Sequence, residues 1–295
     1  DIPEQTPTST DATNSNEITL ATISSEHFIL KIDTLGRISS KELLDNKFNN
    51  KDDHHAQLIP QDGAKPLMIR FLDQKLNNEA KQTPYTADVA TLTVGDAAKE
   101  ITLTQKLSDV TVTKKITFFK DGHYDATISL TNEKRYLVYL GQRPRITDQM
   151  MTVTGAMVYT NDGLTKITED GDSSERKTFT SVGLISAFDQ YSASIIYNLP
   201  KDATVIVDRD VKDDPVVYFE AMNNMKFSGY IGQKEFNTLN AINPILTNAI
   251  EYGWFTFASK PLFALLAWLY AGIGNWGWSI IALTILIRLV LYPLT

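Results

Sequence analysis

The sequence predicts a mainly β protein, in which a large antiparallel β-sandwich is followed by a short linker helix, an interfacial helix and a transmembrane α-helix. A period of two residues dominates positions 17–232, as expected for strands with one buried face. After Gly232 the apolar residues recur at three- and four-residue steps. From Pro261 to Thr295 there is no acidic residue and a single basic one, Arg288. The chain therefore divides into a long β-rich region and a short apolar tail.

Charge and composition exclude several classes of function. The 295 residues include 28 basic and 35 acidic side chains, and setting Arg288 aside leaves the first 260 residues with a balance of −8. This acidic balance gives no indication of nucleic-acid binding. Cysteine is absent, which excludes disulfides, thiolate metal sites and cysteine nucleophiles. The four histidines lack the spacing of zinc ligands, so no metal site is expected.

The first 16 residues predict a flexible tether. They are rich in Thr, Ser, Asn, Asp and Pro and offer almost nothing to bury, so their ordering entropy would not be offset. No basic segment followed by an apolar stretch occurs there, so we expect no signal peptide within these residues.

Residues 17–232 predict the β-sandwich, and the clearest hairpin is at positions 110–130. On its first strand every second residue from Val110 to Phe118 is apolar except Lys114. Asp121-Gly122 supplies the tight turn. Frequent strands with no intervening helical period favour an antiparallel sandwich, and about 215 residues suit two extended sheets. Further turns are predicted at Asn161-Asp162-Gly163, Glu169-Asp170-Gly171 and Asp213-Asp214-Pro215.

The β-rich region shows no catalytic motif, so we expect no catalytic residues and no enzyme activity. Gly-rich phosphate loops and nucleophile elbows are missing. Its scattered carboxylates are interpreted as solvating and turn-forming groups, and His54-His55 as part of a polar loop. Three aromatic side chains could stack on a sugar, although such residues more often lie in a core or on a sheet face. They are Tyr136, Tyr139 and Tyr191.

Residues 233–259 predict a helical linker. An apolar stripe at helical spacing runs from Phe236 to Ile250, and Pro244 is expected to split it into two short helices. Residues 260–274 predict an interfacial amphipathic helix, bracketed by Pro261 at its first position and Gly272 at its end. At about 12 residues this segment is too short to cross a bilayer. Trp268 favours a position at the membrane interface, and a buried core helix is the alternative.

Residues 275–295 predict a transmembrane helix. Trp276 and Trp278 are expected to mark one membrane interface, and the length of about 20 residues is close to the hydrocarbon thickness. Thr284 precedes Arg288 by four residues, so the two form a polar stripe on one helix face. A guanidinium at membrane depth needs water, a carboxylate or a helix terminus nearby. The residues alone leave open whether Arg288 lines such a polar site or extends to the headgroups.

Several segments resemble the YidC membrane protein insertases of Gram-negative bacteria. The tail carries Gly253-Trp254-Phe255, Ser259-Lys260-Pro261-Leu262-Phe263, Gly274-Asn275-Trp276-Gly277, Leu283-Thr284-Ile285-Leu286-Ile287-Arg288 and Leu291-Tyr292-Pro293-Leu294-Thr295. Upstream, Ile32-Asp33-Thr34-Leu35-Gly36-Arg37-Ile38 and Tyr230-Ile231-Gly232-Gln233-Lys234 look like markers of that family's periplasmic domain. The resemblance is most specific in the last 45 residues.

The resemblance implies a periplasmic, mutarotase-like supersandwich followed by the start of an insertase core, with the N-terminal anchor missing and the chain ending within the first core helix. It implies an inner-membrane protein with residues 1–259 in the periplasm and no cofactor. Arg288 and Thr284 match residues that line a hydrophilic groove, where the arginine recruits acidic segments of substrates. The implied partners are nascent inner-membrane proteins, the Sec translocon (SecYEG and SecDF) and the lipid bilayer.

Two other functions remain as alternatives. One is a membrane-anchored carbohydrate-binding or epimerising domain, with the tail as a plain anchor. The other is a scaffold that only docks translocon partners, for which changes at Thr284 and Arg288 would be silent.

Overall fold

A computed structural model of the chain describes residues 18–45, 55–146, 153–171, 175–250 and 256–291. The chain divides into two compact units, Asp1–Ala249 and Ile250–Thr295. The predicted tether and His54 lie outside the described residues, as does Trp254 of the tail.

The first unit is built from β-strands, as predicted. In chain order its described strands are β1 (Thr19–Ser24), β2 (Phe28–Asp33), β3 (Ile38–Leu43), β4 (Ile69–Phe71), β5 (Thr86–Ala87), β6 (Thr91–Thr93), β7 (Lys99–Lys106), β8 (Thr111–Phe118), β9 (His123–Leu130), β10 (Arg135–Tyr139), β11 (Gly155–Thr160), β12 (Thr165–Glu169), β13 (Lys177–Phe179), β14 (Val182–Phe188), β15 (Ser192–Tyr197), β16 (Val205–Arg209), β17 (Pro215–Met222) and β18 (Met225–Gln233).

These strands form three sheets around one main hydrophobic core. The nine-stranded sheet has the order β12-β11-β14-β15-β18-β9-β8-β7-β5, the five-stranded sheet β13-β16-β17-β10-β4, and the four-stranded sheet β3-β2-β1-β6. The pairings are antiparallel except that of β1 with β6. Side chains from all three sheets meet in the core, so the predicted sandwich of extended sheets is confirmed.

The predicted hairpin at positions 110–130 is present as β8 and β9, joined at Asp121-Gly122. Gly122 has a φ of +88°, a conformation that glycine adopts without steric cost. Along β8 the apolar side chains point into the core as expected, but so does Lys114, which is 1% exposed. Lys114, the polar exception in this apolar pattern, is buried with its apolar neighbours because its amine finds hydrogen-bond acceptors inside the domain.

Helix α1 (Gln74–Gln82) corrects the expectation that no helix interrupts the strands. Its start is fixed by Asp73, whose carboxylate accepts hydrogen bonds from the backbone N–H groups of Lys75 and Leu76. Leu76 is buried and Ala80, four residues later, packs against the core, so the helix has one narrow apolar side among polar residues.

The predicted split of the linker at Pro244 is confirmed, whereas the helix after the linker begins at Thr256, inside the predicted linker of residues 233–259. Helix α2 (Phe236–Ile242) and a 3-10 helix (Pro244–Ala249) lie on either side of Asn243, with Pro244 starting the second segment. Leu239 and Leu246 are fully buried. The 3-10 helix contacts β14 and β15, so this part of the linker belongs to the first unit.

The second unit is a pair of helices, α3 (Thr256–Ile273) and α4 (Trp276–Leu291). Helix α3 starts before the predicted position, so Pro261 lies in its second turn and not at its first residue. Helix α4 has 16 residues, about 24 Å, where roughly 20 residues are needed to span the hydrocarbon core. Among the described residues, no helix has both the length and the apolar character required of a membrane span. The expected transmembrane helix is thus not found in these residues.

Candidate functional site

The turn between α3 and α4 is fixed by hydrogen bonds at both helix ends. Gly274 closes α3 with a φ of +73°, and its N–H donates to the Tyr270 carbonyl at 2.7 Å. Asn275 caps α4, because its side-chain oxygen accepts from the N–H groups of Gly277 at 2.9 Å and Trp278 at 3.3 Å. The turn therefore gives α4 a defined first residue.

The predicted groove residues lie on one face of α4, one helical turn apart. Both Thr284 and Arg288 are exposed, and the Thr284 hydroxyl donates to the Ile280 carbonyl at 2.8 Å. Within the described part of the chain, no carboxylate pairs with the Arg288 guanidinium. The stripe inferred from the four-residue spacing is present, and a groove around it stays a prediction.

Apolar side chains surround this polar stripe. Several large ones on α3 and α4 are exposed, which is unusual for a surface in contact with water. They are Leu262, Phe263, Trp268, Ile273, Trp276, Trp278, Ile280, Ile281, Ile285, Leu286 and Leu289. The three tryptophans predicted to lie at the membrane interface belong to this set. Exposed apolar surface of this kind suits contact with lipid or with another protein segment.

The carboxylates of the first unit serve structural roles. Asp88 accepts from the Thr102 N–H at 3.0 Å, Asp125 from the Ser228 hydroxyl at 2.6 Å, and Asp189 from the Ile146 N–H at 3.1 Å. Across the described ranges, no group of three His, Asp or Glu side chains has the geometry of a metal site. Asp88 is exposed and agrees with the interpretation as a solvating group, whereas Asp189 is 1% exposed and accepts backbone hydrogen bonds inside the domain, so for Asp189 that interpretation is wrong.

The aromatic candidates for sugar stacking do not converge. Tyr136 and Tyr139 are fully buried, and the Tyr136 hydroxyl donates to the Asn223 carbonyl at 3.0 Å. Tyr191 is exposed and its hydroxyl accepts from the Gln190 amide at 2.8 Å. Buried rings cannot present a face to a sugar, so these residues form no stacking platform.

The upstream sequence marker at 32–38 is a buried turn. The Asp33 carboxylate accepts from the N–H groups of Leu35 and Arg37 at 3.0 Å each and from the Arg37 guanidinium at 2.7 Å. Lys114 donates to the carbonyls of Gly36 and Leu67 at 2.8 Å each. Burial lowers the pKa of Lys114 to about 7, although the Asp33 charge opposes this shift. The sequence indicated this segment as a family marker, but not that Lys114 donates a hydrogen bond to it.

Comparison with known proteins identifies the class of this β-sandwich. A family model described as the YidC periplasmic domain matches residues 20–265. A Campylobacter jejuni protein named membrane protein insertase YidC is 37% identical over 95% of this chain and 54% of its own length. A protein of the same name from Helicobacter pylori is 35% identical over 97% of this chain and 57% of its own. The chain belongs to the YidC family.

The chain corresponds to only part of the length of these relatives. It spans about half the length of the curated relatives. Among solved structures, an active YidC insertase with its first transmembrane domain resolved matches 95% of this chain and 58% of its own, with 12% identity and a TM-score of 0.36. The periplasmic domain of Thermotoga maritima YidC matches 80% of this chain and 95% of its own, with 10% identity and a TM-score of 0.33. Family membership rests on the sequence matches.

Proposed function

We propose that this chain is part of a membrane protein insertase of the bacterial inner membrane, which inserts and helps fold nascent inner-membrane proteins, alone or with the Sec translocon. In this proposal residues 1–259 lie in the periplasm, residues 260–274 lie in the interface, and residues 275–295 belong to a membrane-spanning helix. Relatives named insertases, at 35–37% identity, support it. The proposed activity requires no cofactor and no covalent chemistry.

The polar stripe on α4 is the observation that carries the proposal. Arg288 is the lone charged residue of positions 261–295, and apart from Thr284 its exposed large neighbours on the helix are apolar. A guanidinium stays charged at any physiological pH, so in a bilayer it costs at least about 2.5 kcal/mol unless water or a partner solvates it. A wet groove at Arg288 would supply that water and would also attract an acidic substrate segment.

Thr284 is suited to the same groove. Its hydroxyl donates its proton to the backbone of α4, and the oxygen remains able to accept a hydrogen bond from a substrate or a water molecule. We therefore assign Arg288 the electrostatic role and Thr284 a polar lining role.

The groove is tested by insertion assays with the intact protein. Arg288→Ala should reduce insertion of single-span substrates with acidic N-terminal segments at least tenfold, whereas Arg288→Lys should retain part of the activity. Substrates whose acidic residues are changed to Asn or Gln should be much less sensitive to both variants. Leu289→Ala is the matched control, because it alters the adjacent exposed side chain without a change of charge.

An equal response of acidic and neutral substrates to Arg288→Ala would contradict the electrostatic role. An unchanged rate for all substrates would favour the scaffold alternative. A measured affinity of the first unit for a hexose, with insertion unaffected, would favour the carbohydrate-binding alternative.

The periplasmic assignment is tested by labelling, since the chain contains no cysteine. A single Asp96→Cys change places a thiol where the native side chain is 97% exposed. A membrane-impermeant maleimide should label this thiol from the periplasmic side, and Leu289→Cys should stay unlabelled in intact membranes. Labelling of position 96 from the cytoplasmic side alone would contradict the assignment.

A further inference from the structure

A pocket of about 280 Å³ lies in the first unit, between β2, β3, the β8–β9 turn, β18 and α2. Phe28, Lys41 and Tyr230 line it together with three carboxylates, from Asp45, Asp121 and Glu235. The volume lies at the lower end of the range for small-molecule sites, so a ligand would have the size of an amino acid and not of an oligosaccharide. None of these residues belongs to the stripe on α4.

Lys41 places a buried amine at the base of this pocket. Its side chain is 2% exposed, and its ammonium donates to the Gly122 carbonyl at 2.9 Å. The nitrogen also lies 4.4 Å from the centre of the Phe28 ring and 5.9 Å from that of Tyr230. An ammonium carries three donors, and the bond to Gly122 uses one of them. A buried charge with donors to spare favours an anionic ligand group beside it.

The carboxylates lie at the mouth of the pocket. Asp45 and Asp121 are 37% and 41% exposed, and Glu235 is exposed as well. His27 lies 3.2 Å from Asp45, and His123 contacts Asp121. Three carboxylates and one amine line the pocket, so its mouth is negative and its base becomes positive when Lys41 is protonated.

We propose that this pocket binds a small zwitterion, with its anionic group on the Lys41 ammonium and its primary ammonium group between the carboxylates of Asp45, Asp121 and Glu235. A simple anion would meet the negative mouth, and a simple amine would meet the Lys41 charge. A ligand that carries both charges a few bonds apart complements the two ends of the pocket. A free α-amino acid and a phosphoethanolamine headgroup share this chemistry.

Binding should be linked to proton uptake. Burial lowers the pKa of Lys41 to about 7, with the Asp121 charge opposing the shift, so the amine is largely neutral at pH 8. An anionic ligand group beside the nitrogen favours its charged form and draws a proton from solution. The other titratable groups that line the pocket are the carboxylates of Asp45 and Glu235, the imidazole of His27 and the phenol of Tyr230, and His123 contacts Asp121.

The test uses calorimetry on the intact, detergent-solubilised chain with glycine and glycerophosphoethanolamine as probes. Acetate, methylamine and glucose serve as anion-only, cation-only and uncharged controls. We expect saturable binding of a zwitterion at least tenfold tighter than of any control, with uptake of about half a proton or more at pH 8. Tighter binding of glycerophosphoethanolamine than of glycine would assign the source as a lipid headgroup, and the reverse would assign a free amino acid.

Variants separate the two ends of the pocket. Lys41→Met should weaken zwitterion binding at least tenfold and abolish the proton uptake, while Lys31→Met, on the exposed side of β2, should change neither. The surface changes Asp45→Asn and Glu235→Gln should together weaken binding at least fivefold without loss of the fold, as judged by circular dichroism. Undiminished affinity in these variants, equal affinity for glucose, or no saturable binding by folded protein would overturn the proposal.

Discussion

Tyr270 and Trp276 stack face to face across the turn that joins α3 to α4, with ring centroids 4.0 Å apart and an angle of 11° between the planes. One ring comes from the last turn of α3 and the other from the first residue of α4. The stack and the helix caps at Gly274 and Asn275 therefore act on the same few residues. The ring stack and the two caps together hold the turn between two apolar helices.

The Asn275 cap is expected to stabilise the first turn of α4. Asn275→Ala should remove the acceptor of the Gly277 and Trp278 N–H groups and cost about 1 kcal/mol. Hydrogen exchange at these two amides should accelerate about fivefold in detergent, a factor that corresponds to this energy. Asn275→Asp keeps the acceptor and should exchange like the parent chain. Unchanged exchange in the alanine variant would show that the cap is not stabilising.

The Asp33–Arg37 pair predicts a large loss of stability on neutralisation. Asp33→Asn should cost about 3–5 kcal/mol, because the buried Arg37 guanidinium loses the carboxylate that it contacts at 2.7 Å. The free energy of unfolding is measured by chemical denaturation, followed by the β-sheet signal in circular dichroism. Asp88→Asn is the control, since its exposed side chain keeps an oxygen for the Thr102 N–H. A loss below 1 kcal/mol for Asp33→Asn would contradict the prediction.

The buried lysines predict that the sandwich becomes more stable as pH rises above neutrality. Burial lowers the pKa of Lys41 and Lys114 to about 7, whereas an unfolded lysine titrates near pH 10.4. Between these values the unfolded chain binds more protons, so the free energy of unfolding should rise by up to about 1.4 kcal/mol per pH unit for each lysine. Denaturation between pH 7 and 9.5 measures this slope.

Replacing either lysine should flatten that pH dependence. Lys114→Met should remove about half of the slope and also lower stability, because the carbonyls of Gly36 and Leu67 lose their shared donor. The exposed Lys31→Met change should leave the slope as it is. Stability that does not rise between pH 7 and 9 would show that these amines stay charged in the folded domain.

The close approach of β18 to β9 predicts that Gly229 tolerates no side chain. A Cβ atom at Gly229 would overlap the ring of Tyr124, with which it is paired across the two strands. Gly229→Ala should destabilise the domain by about 1–3 kcal/mol, the usual cost of overpacking a core. Gly95→Ala, which has open space around its Cβ position, should change stability by less than about 0.5 kcal/mol. Similar denaturation midpoints for the two variants would contradict the prediction.

The periodic elements could be predicted from the sequence, because their signals are local. The alternation around Phe28, the Asp121-Gly122 turn and the split at Pro244 are each visible within about ten residues. Helix α1 was missed because its nine residues include only two apolar side chains, Leu76 and Ala80, which are too few to make a helical repeat visible in the sequence. The four-residue spacing likewise placed Thr284 and Arg288 on one face of α4.

The long-range polar contacts could not be predicted. Lys114 is held by carbonyls 78 and 47 residues away, and Lys41 by a carbonyl 81 residues away. A charged residue in the buried phase of a strand therefore looks like an exception until the fold brings its acceptors to it. The pocket at Lys41 is formed by elements far apart in the chain, so no local sequence motif predicts it.

The placement of the tryptophans has a practical consequence for spectroscopy. All four lie between positions 254 and 278, so the β-rich region absorbs and emits only through tyrosine and phenylalanine. Selective excitation of indole thus reads out the second unit alone, while the tyrosine signal comes mainly from the first unit, which holds nine of the twelve tyrosines. A single untagged sample can accordingly reveal whether the two units melt together or one after the other.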